Sequence, residues 1–313
     1  MARAAAPGVP LDPVSVADHH PAVDLVRAGD VELCADRIGT AGDPMIVLLA
    51  GHGAQLQWWD DALCRMLADE GFEVVRFDNR DVGASTWFED VPQPDVGAVL
   101  RGEPSPIPYT LWDMADDTAA LLDGLGVERA HLVGMSMGGM IAQCVAIAHR
   151  DRVRSLCSVM STTGAPGVGA MAPGTVEELA ALARAYPDPV ECEVATARRF
   201  ASPAYPFDEA RVRARAVRSA ERANPPGGVA RQLVAMLVSG DRTAALGALD
   251  LPALVVHGDA DAMVPPDGGR ATAEAVPGAE LVVLPGVAHE LPPATWPTLV
   301  TAIVALARRT DAG

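Results

Sequence analysis

The sequence predicts an α/β fold: a mostly parallel central sheet flanked by helices, with an N-terminal hairpin and an inserted helical cap. Three observations predict it. Short unbroken apolar runs recur along the chain, each followed by a helical period. An early stretch alternates with period two about a tight turn, and a long internal stretch carries helical patterns but no strand. Unbroken Val/Ile/Leu runs belong to strands buried on both faces, as in a parallel sheet covered by helices.

The elements follow in order. Residues 1–23 hold four prolines and two histidines. They read as a flexible or surface-draped leader and lack the unbroken apolar stretch that a signal peptide requires. Residues 25–38 alternate as two strands joined at Ala28-Gly29-Asp30, a hairpin pattern. The apolar runs at 45–50, 74–77, 130–133, 153–160, 253–256 and 281–284 are the candidate sheet strands. Helices are expected over 56–70, 137–149 and 296–309. Another carries Leu111, Met114, Ala115, Thr118, Leu121, Leu122 and Leu125 on one face, with Thr110 as its cap and Gly126 as its stop.

Between Ser161 and Leu249 the pattern changes to four helical stretches, 176–186, 190–200, 208–223 and 229–238, punctuated by prolines. An insertion of about 90 residues is too long for a plain loop. The expected organisation is therefore a leader at 1–23, a core of 24–160 and 249–313, and a helical cap, or lid, at 161–248. Such a cap would lie over the carboxyl edge of the sheet, where open α/β folds place their ligands.

Composition narrows the function. The chain has 24 basic and 41 acidic residues, a net charge of −17. Phosphate binding needs a cationic field that is missing here, so neither a nucleic acid nor an anionic membrane surface is an expected partner. Five scattered cysteines without a CxxC pair do not make a disulfide framework or a zinc site. The histidines at 19, 20, 131 and 149 have no metal-ligand spacing. No run approaches the roughly 20 apolar residues of a membrane span, and a cytoplasmic protein is expected.

The sharpest motif is Gly134-Met135-Ser136-Met137-Gly138-Gly139, directly after one apolar run and directly before a helical one. Gly-x-Ser-x-Gly between strand and helix is a nucleophile elbow. The tight turn lifts the hydroxyl above the sheet and sets it at a helix N-terminus, whose dipole favours developing negative charge. A serine hydroxyl is a weak nucleophile and needs a base, itself oriented by an acid. After the run at 253–256 comes His257-Gly258-Asp259-Ala260-Asp261, and after the last run comes Pro285-Gly286-Val287-Ala288-His289. His289 is thus the candidate base, and Asp259 and Asp261 both stand where the acid belongs. An oxyanion hole needs two backbone N–H groups. Met137, next to the serine, offers one; the loop Ala50-Gly51-His52-Gly53-Ala54 offers the other through His52. Leu56 stands where a dinucleotide fingerprint would need its third glycine, which sets that reading aside.

With these motifs in place, the chain resembles the α/β-hydrolase superfamily over nearly its full length. Within it, the chain is most similar to the aclacinomycin methylesterase-like group of bacterial serine hydrolases. The likeness is carried by Val75-Arg76-Phe77-Asp78-Asn79-Arg80-Asp81-Val82-Gly83-Ala84-Ser85-Thr86, by the elbow, and by residues 257–265. The resemblance implies ester hydrolysis without a cofactor, including methyl esters on polycyclic polyketides. It also implies Asp261 as the acid, since the acid usually follows the strand-end glycine by three residues. Asp78–Ser85 becomes a structural loop beside the pocket. Two departures stand out: Ala50-Gly51 where the superfamily often has His-Gly, and Ala288 where a glycine commonly precedes the histidine.

The expected function is cleavage of a carboxylic ester through an acyl-enzyme on Ser136. The same residues would serve a C–C hydrolase, a lactonase, a perhydrolase or an acyltransferase, and the scaffold would also serve as a non-catalytic binding protein. A cap rich in Ala, Val, Leu and Met and poor in Lys is expected to line a roomy apolar pocket for a bulky acyl group.

Overall fold

A computed structural model describes residues 23–222 and 226–311. The leader expected at 1–23 lies outside the described residues apart from Val23, as does residue 223 at the end of one expected helix.

The strands are Asp24–Ala28 (β1), Val31–Ile38 (β2), Met45–Leu49 (β3), Glu73–Phe77 (β4), Ala130–Met135 (β5), Val153–Val159 (β6), Ala253–Gly258 (β7) and Glu280–Leu284 (β8). They form one sheet in the order β1-β2-β4-β3-β5-β6-β7-β8. β1 and β2 make the expected hairpin, and β2 runs antiparallel to β4. The other pairs are parallel. Every residue of β3, β4, β5 and β7 is buried, as unbroken apolar runs require. β8 departs from that expectation: it is the sheet edge, and its Leu281 and Val283 are exposed.

The helices are Asp61–Ala68 (α1), Val96–Leu100 (α2), Leu111–Gly124 (α3), Met137–Ala148 (α4), Thr175–Ala185 (α5), Pro189–Arg199 (α6), Glu209–Glu221 (α7), Pro226–Val238 (α8), Thr243–Leu246 (α9), Pro266–Ala275 (α10) and Trp296–Asp311 (α11). The periodic stretch at 56–70 divides in two. Leu56–Trp58 forms a 3-10 turn, and α1 starts afresh because the Asp60 carboxylate caps its Ala62 N–H. Thr110 and Asp113 close a reciprocal capping box on α3. Two apolar cores cover the two faces of the sheet. Met114, Leu121, Ile141 and Val145 of α3 and α4 pack on one, and Leu63, Leu67, Ile303 and Leu306 of α1 and α11 on the other.

The connection from β3 leads to β4 on one side, while that from β5 leads to β6 on the other. β3 and β5 are neighbours, so the order of the sheet reverses between them. Such a reversal opens a crevice at the carboxyl ends of the strands. The loop after β3 and the turn after β5 both end there. Among the described residues, the stretch between β6 and β7 holds helices and no strand.

Candidate active site

Ser136 sits between β5 and α4 with φ 55° and ψ −120°, a left-handed backbone that a non-glycine residue adopts only under constraint. The constraint is visible. Its N–H donates to the Val159 carbonyl at 2.9 Å. Its carbonyl accepts the Gly139 and Met140 N–H groups and the Ser161 hydroxyl. A side chain on Gly134 would run into the Gly138 carbonyl, and one on Gly138 into the carbonyls of Leu49 and Ala50. Both motif glycines are therefore dictated by close backbone approach.

The loop after β3 lies against this turn. A Cβ on Gly51 would stand 3.3 Å from the Ser136 Cβ and 3.8 Å from its Oγ. Met137 is the first residue of α4, where N–H groups have no intrahelical acceptor. Neither the Met137 nor the His52 N–H is committed to a hydrogen bond among the described residues. The His52 side chain is engaged elsewhere. Its Nε2–H donates to the Val229 carbonyl of α8 at 2.8 Å, and burial pushes the imidazole below the usual histidine pKa range.

Asp261 and His289 meet. His289 Nδ1 donates to Asp261 Oδ2 at 2.6 Å, which leaves Nε2 as the ring's acceptor. The other carboxylate oxygen of Asp261 accepts the Met263 and Val264 N–H groups, each at 2.9 Å. Asp259, the alternative, makes a different contact: it accepts the Gly286 N–H at 2.6 Å and fastens the turn that leads to His289. The Ser136 hydroxyl makes no hydrogen bond to His289 among the described residues, and such bonds often tighten only around a substrate. Ala288 replaces the common glycine without strain, because its φ is not positive.

The sequence did not single out His257 for a role. Its ring is buried, donates from Nε2 to the Val264 carbonyl at 2.8 Å, and stands 3.7 Å from Asp261 Oδ2. Burial holds its pKa below the usual range, against the pull of the Val264 hydrogen bond and of Asp261. It thus supports the acid-bearing turn as a neutral donor. Its place at a strand end, four residues before Asp261, was the available signal.

The Asp78–Ser85 loop is structural, as the resemblance implied. Asp81, at φ 70°, receives a two-pronged contact from Arg231 of α8 at 2.7 and 2.8 Å and the Tyr109 hydroxyl at 2.6 Å. Burial works against its charge, but Arg231, the Phe88 N–H and Tyr109 prevail and hold its pKa below the usual carboxylate value. Arg80 pairs with Asp117 and lies over the rings of Phe88 and Tyr109. α8 also reaches the loop after β3, where Gln232 accepts the Gly53 N–H at 2.8 Å.

A cavity of about 620 Å³ opens onto His289, His52 and Gly53, although Ser136 itself does not line it. Trp58, Leu63, Phe200, Val212, Leu291 and Trp296 give it apolar walls. The walls are thus mostly apolar, as expected, but they also carry charge. Asp60, Glu193, Arg211 and Arg215 also line it, paired as Arg211–Asp60 and Arg215–Glu193 at 3.0 Å each. Arg211 and Arg215 are one helical turn apart on α7 and so share the face turned to the cavity.

The fold and this geometry define a class, and comparison with known proteins agrees with it. Residues 44–292 match the α/β hydrolase fold family, and the chain belongs to that family. The expected likeness to methylesterases is borne out. The chain is 26% identical to rhodomycin D methylesterase DauP from Streptomyces sp. (strain C5), covering 91% of this chain and 97% of that one. The same identity and coverage hold for rhodomycin D methylesterase DnrP from Streptomyces peucetius. Among solved structures, a thermophilic esterase from Thermogutta terrifontis is 27% identical with TM-score 0.65, covering 92% of this chain and 98% of that one. No helix among the described residues is long and apolar enough to cross a membrane.

Proposed function

We propose that this protein is a serine hydrolase that cleaves a carboxylic ester through an acyl-enzyme. The observation that carries the reading is the His289–Asp261 hydrogen bond, taken with the strained backbone of Ser136 at the head of α4. His289 Nε2 takes the Ser136 proton as Oγ bonds to the ester carbonyl carbon. The oxyanion so formed is held by the Met137 and His52 N–H groups. Collapse expels the alcohol, which takes the proton from His289. Water, deprotonated by His289, then attacks the acyl-enzyme and releases the acid. Asp261 keeps the imidazole in the tautomer that leaves Nε2 free. The steps call for no cofactor.

The cavity volume and the methylesterase relatives favour a methyl ester on a bulky acyl group. The paired arginines and carboxylates on its wall suit an acyl group with polar substituents around an apolar body. We assign residues 161–248 to a cap over the site, since their helices supply much of the cavity wall.

The test pairs a fluorophosphonate probe with a panel of esters graded by acyl and alcohol size. The probe labels Ser136 in the wild type and nothing in Ser136→Ala, and bulky methyl esters turn over with the higher kcat/KM. An unlabelled, folded wild type would overturn the enzyme reading. A preference for acetate or butyrate would move the substrate to small esters.

A further inference from the structure

His289 sits on the loop 286–290 after β8, and that loop is tied to the cap segment between α6 and α7 by three hydrogen bonds. The Ala288 N–H donates to Ser202 Oγ at 3.0 Å. The Ser202 N–H donates in return to Glu290 Oε1 at 2.6 Å. The Ala204 N–H donates to the Gly286 carbonyl at 3.3 Å. Ser202 and Ala288 are both buried, so these groups have little access to water in place of one another. The residues flanking His289 on both sides are therefore held by one serine of the cap.

We propose that Ser202 and Glu290 are positioning residues, a clamp through which the cap sets the reach of His289 toward Ser136. The inference rests on the reading of His289 as the base. The Asp261 bond fixes one end of the imidazole, but it leaves the ring free to swing about that contact. Asp261 is itself fixed by the Met263 and Val264 N–H groups, so the remaining freedom lies in the 286–290 backbone. The clamp removes it. Ser136 and His289 are not hydrogen-bonded among the described residues, so the last adjustment of that loop decides whether proton transfer occurs. A misplacement of about 1 Å at a reacting group costs on the order of 100-fold in rate. Because the anchor belongs to the cap, a substrate that seats the cap would also seat the base.

The test uses the full chain and a short p-nitrophenyl ester, which does not need the whole cavity. Ser202→Ala removes the acceptor of the Ala288 N–H, and Glu290→Ala removes that of the Ser202 N–H. Each is expected to lower kcat about 10- to 100-fold with KM close to wild type, and Ser202→Ala also lowers Tm by a few degrees for the buried Ala288 N–H it leaves unpaired. Ser202→Thr and Glu290→Gln keep an acceptor oxygen in place and restore kcat to within about threefold. A second readout needs no turnover. The His289 Nδ1–H proton, donated to Asp261, gives a downfield resonance in the wild type, which shifts or broadens in Ser202→Ala and returns in Ser202→Thr.

Wild-type kcat in both alanine variants would overturn the clamp. So would a parallel fall of kcat and Tm in all four variants, which would mark the contact as structural only. If the wild type neither turns over esters nor takes the fluorophosphonate label, the hydrolase reading fails by itself. The proton resonance then still reports whether Ser202 holds the histidine, and an unchanged resonance in Ser202→Ala overturns the clamp.

Discussion

Replacing Asp261 by Asn changes one atom and reverses the chemistry of the pair. The side chain is buried, and its two oxygens have different partners. Oδ1 accepts the Met263 and Val264 N–H groups, and Oδ2 accepts the His289 Nδ1–H. An asparagine keeps its carbonyl oxygen toward the two backbone donors, because an amide NH₂ there would face two N–H groups. Its NH₂ must then face His289 Nδ1, which becomes an acceptor. The imidazole proton moves to Nε2, and the nitrogen that should take the Ser136 proton no longer has a free lone pair. Loss of the correct tautomer in such triads costs on the order of 10³–10⁴-fold in kcat, or about 4–5.5 kcal/mol. Asp259→Asn keeps an oxygen for the Gly286 N–H. Its cost is that of a weakened, solvent-exposed hydrogen bond, about 1 kcal/mol or roughly fivefold. Steady-state kcat on an activated ester, with circular dichroism and Tm to check folding, separates the two. Asp261→Asn within tenfold of wild type, or an Asp259→Asn loss larger than it, would refute the assignment of the acid.

Two further outcomes are expected. Arg231→Ala leaves the buried Asp81 carboxylate without its cation and should lower stability by about 3–5 kcal/mol, measured by urea unfolding; a change under about 1 kcal/mol would mean that the Tyr109 and Phe88 contacts suffice. Burial holds His257 and His52 below the usual histidine range, so the native state refuses protons that the unfolded chain binds below about pH 6.5. Stability therefore falls as pH drops through that value toward the folded-state pKa, and His257→Gln, which keeps a donor for Val264, should flatten part of that slope in Tm against pH; an unaltered slope would show His257 protonated in the fold.

What the sequence made legible was whatever is local along the chain. The elbow is six consecutive residues, the hairpin is one alternating stretch, and each buried strand is a single apolar run. The choice between Asp259 and Asp261 was not local, and residue spacing alone left both open. The contact that distinguishes their surroundings joins Asp261 to a histidine 28 positions away. The charged residues on the cavity wall were hidden for a related reason. The cap's composition is apolar on average, but the face of α7 that turns inward carries Arg211 and Arg215. Arg213, between them, pairs instead with Glu191 and Glu209 on the other side. Helical periodicity puts residues 211 and 215 on one face, yet nothing in the sequence says which face meets the cavity. The short helices α2 and α9, of five and four residues, are too brief for a period to show.

The contacts between the proposed cap and the rest of the chain differ in kind from those inside it. Arg231–Asp81 has no exposed surface, Asp78 in the Arg222–Asp78 pair is wholly buried, and Arg211–Asp60 is partly covered. Arg198–Glu209, Arg199–Glu178 and Arg213–Glu191 within the cap are exposed. Exposed pairs contribute about 0–1 kcal/mol each and exchange readily with water. A buried pair adds little net stability over an apolar one, but breaking it by loss of one partner is costly, so it fixes register. α7 and α8 are accordingly pinned to the loops after β3 and β4, beside the candidate oxyanion donors. α5 and α6 are tethered to them mainly by exposed pairs, with the partly covered Arg215–Glu193 pair and the buried Val194 of α6 as the exceptions. If any part of the cap yields to admit a bulky ester, physical chemistry selects α5 and α6. α8 holds His52 and Gly53, the loop that carries one of the proposed oxyanion donors.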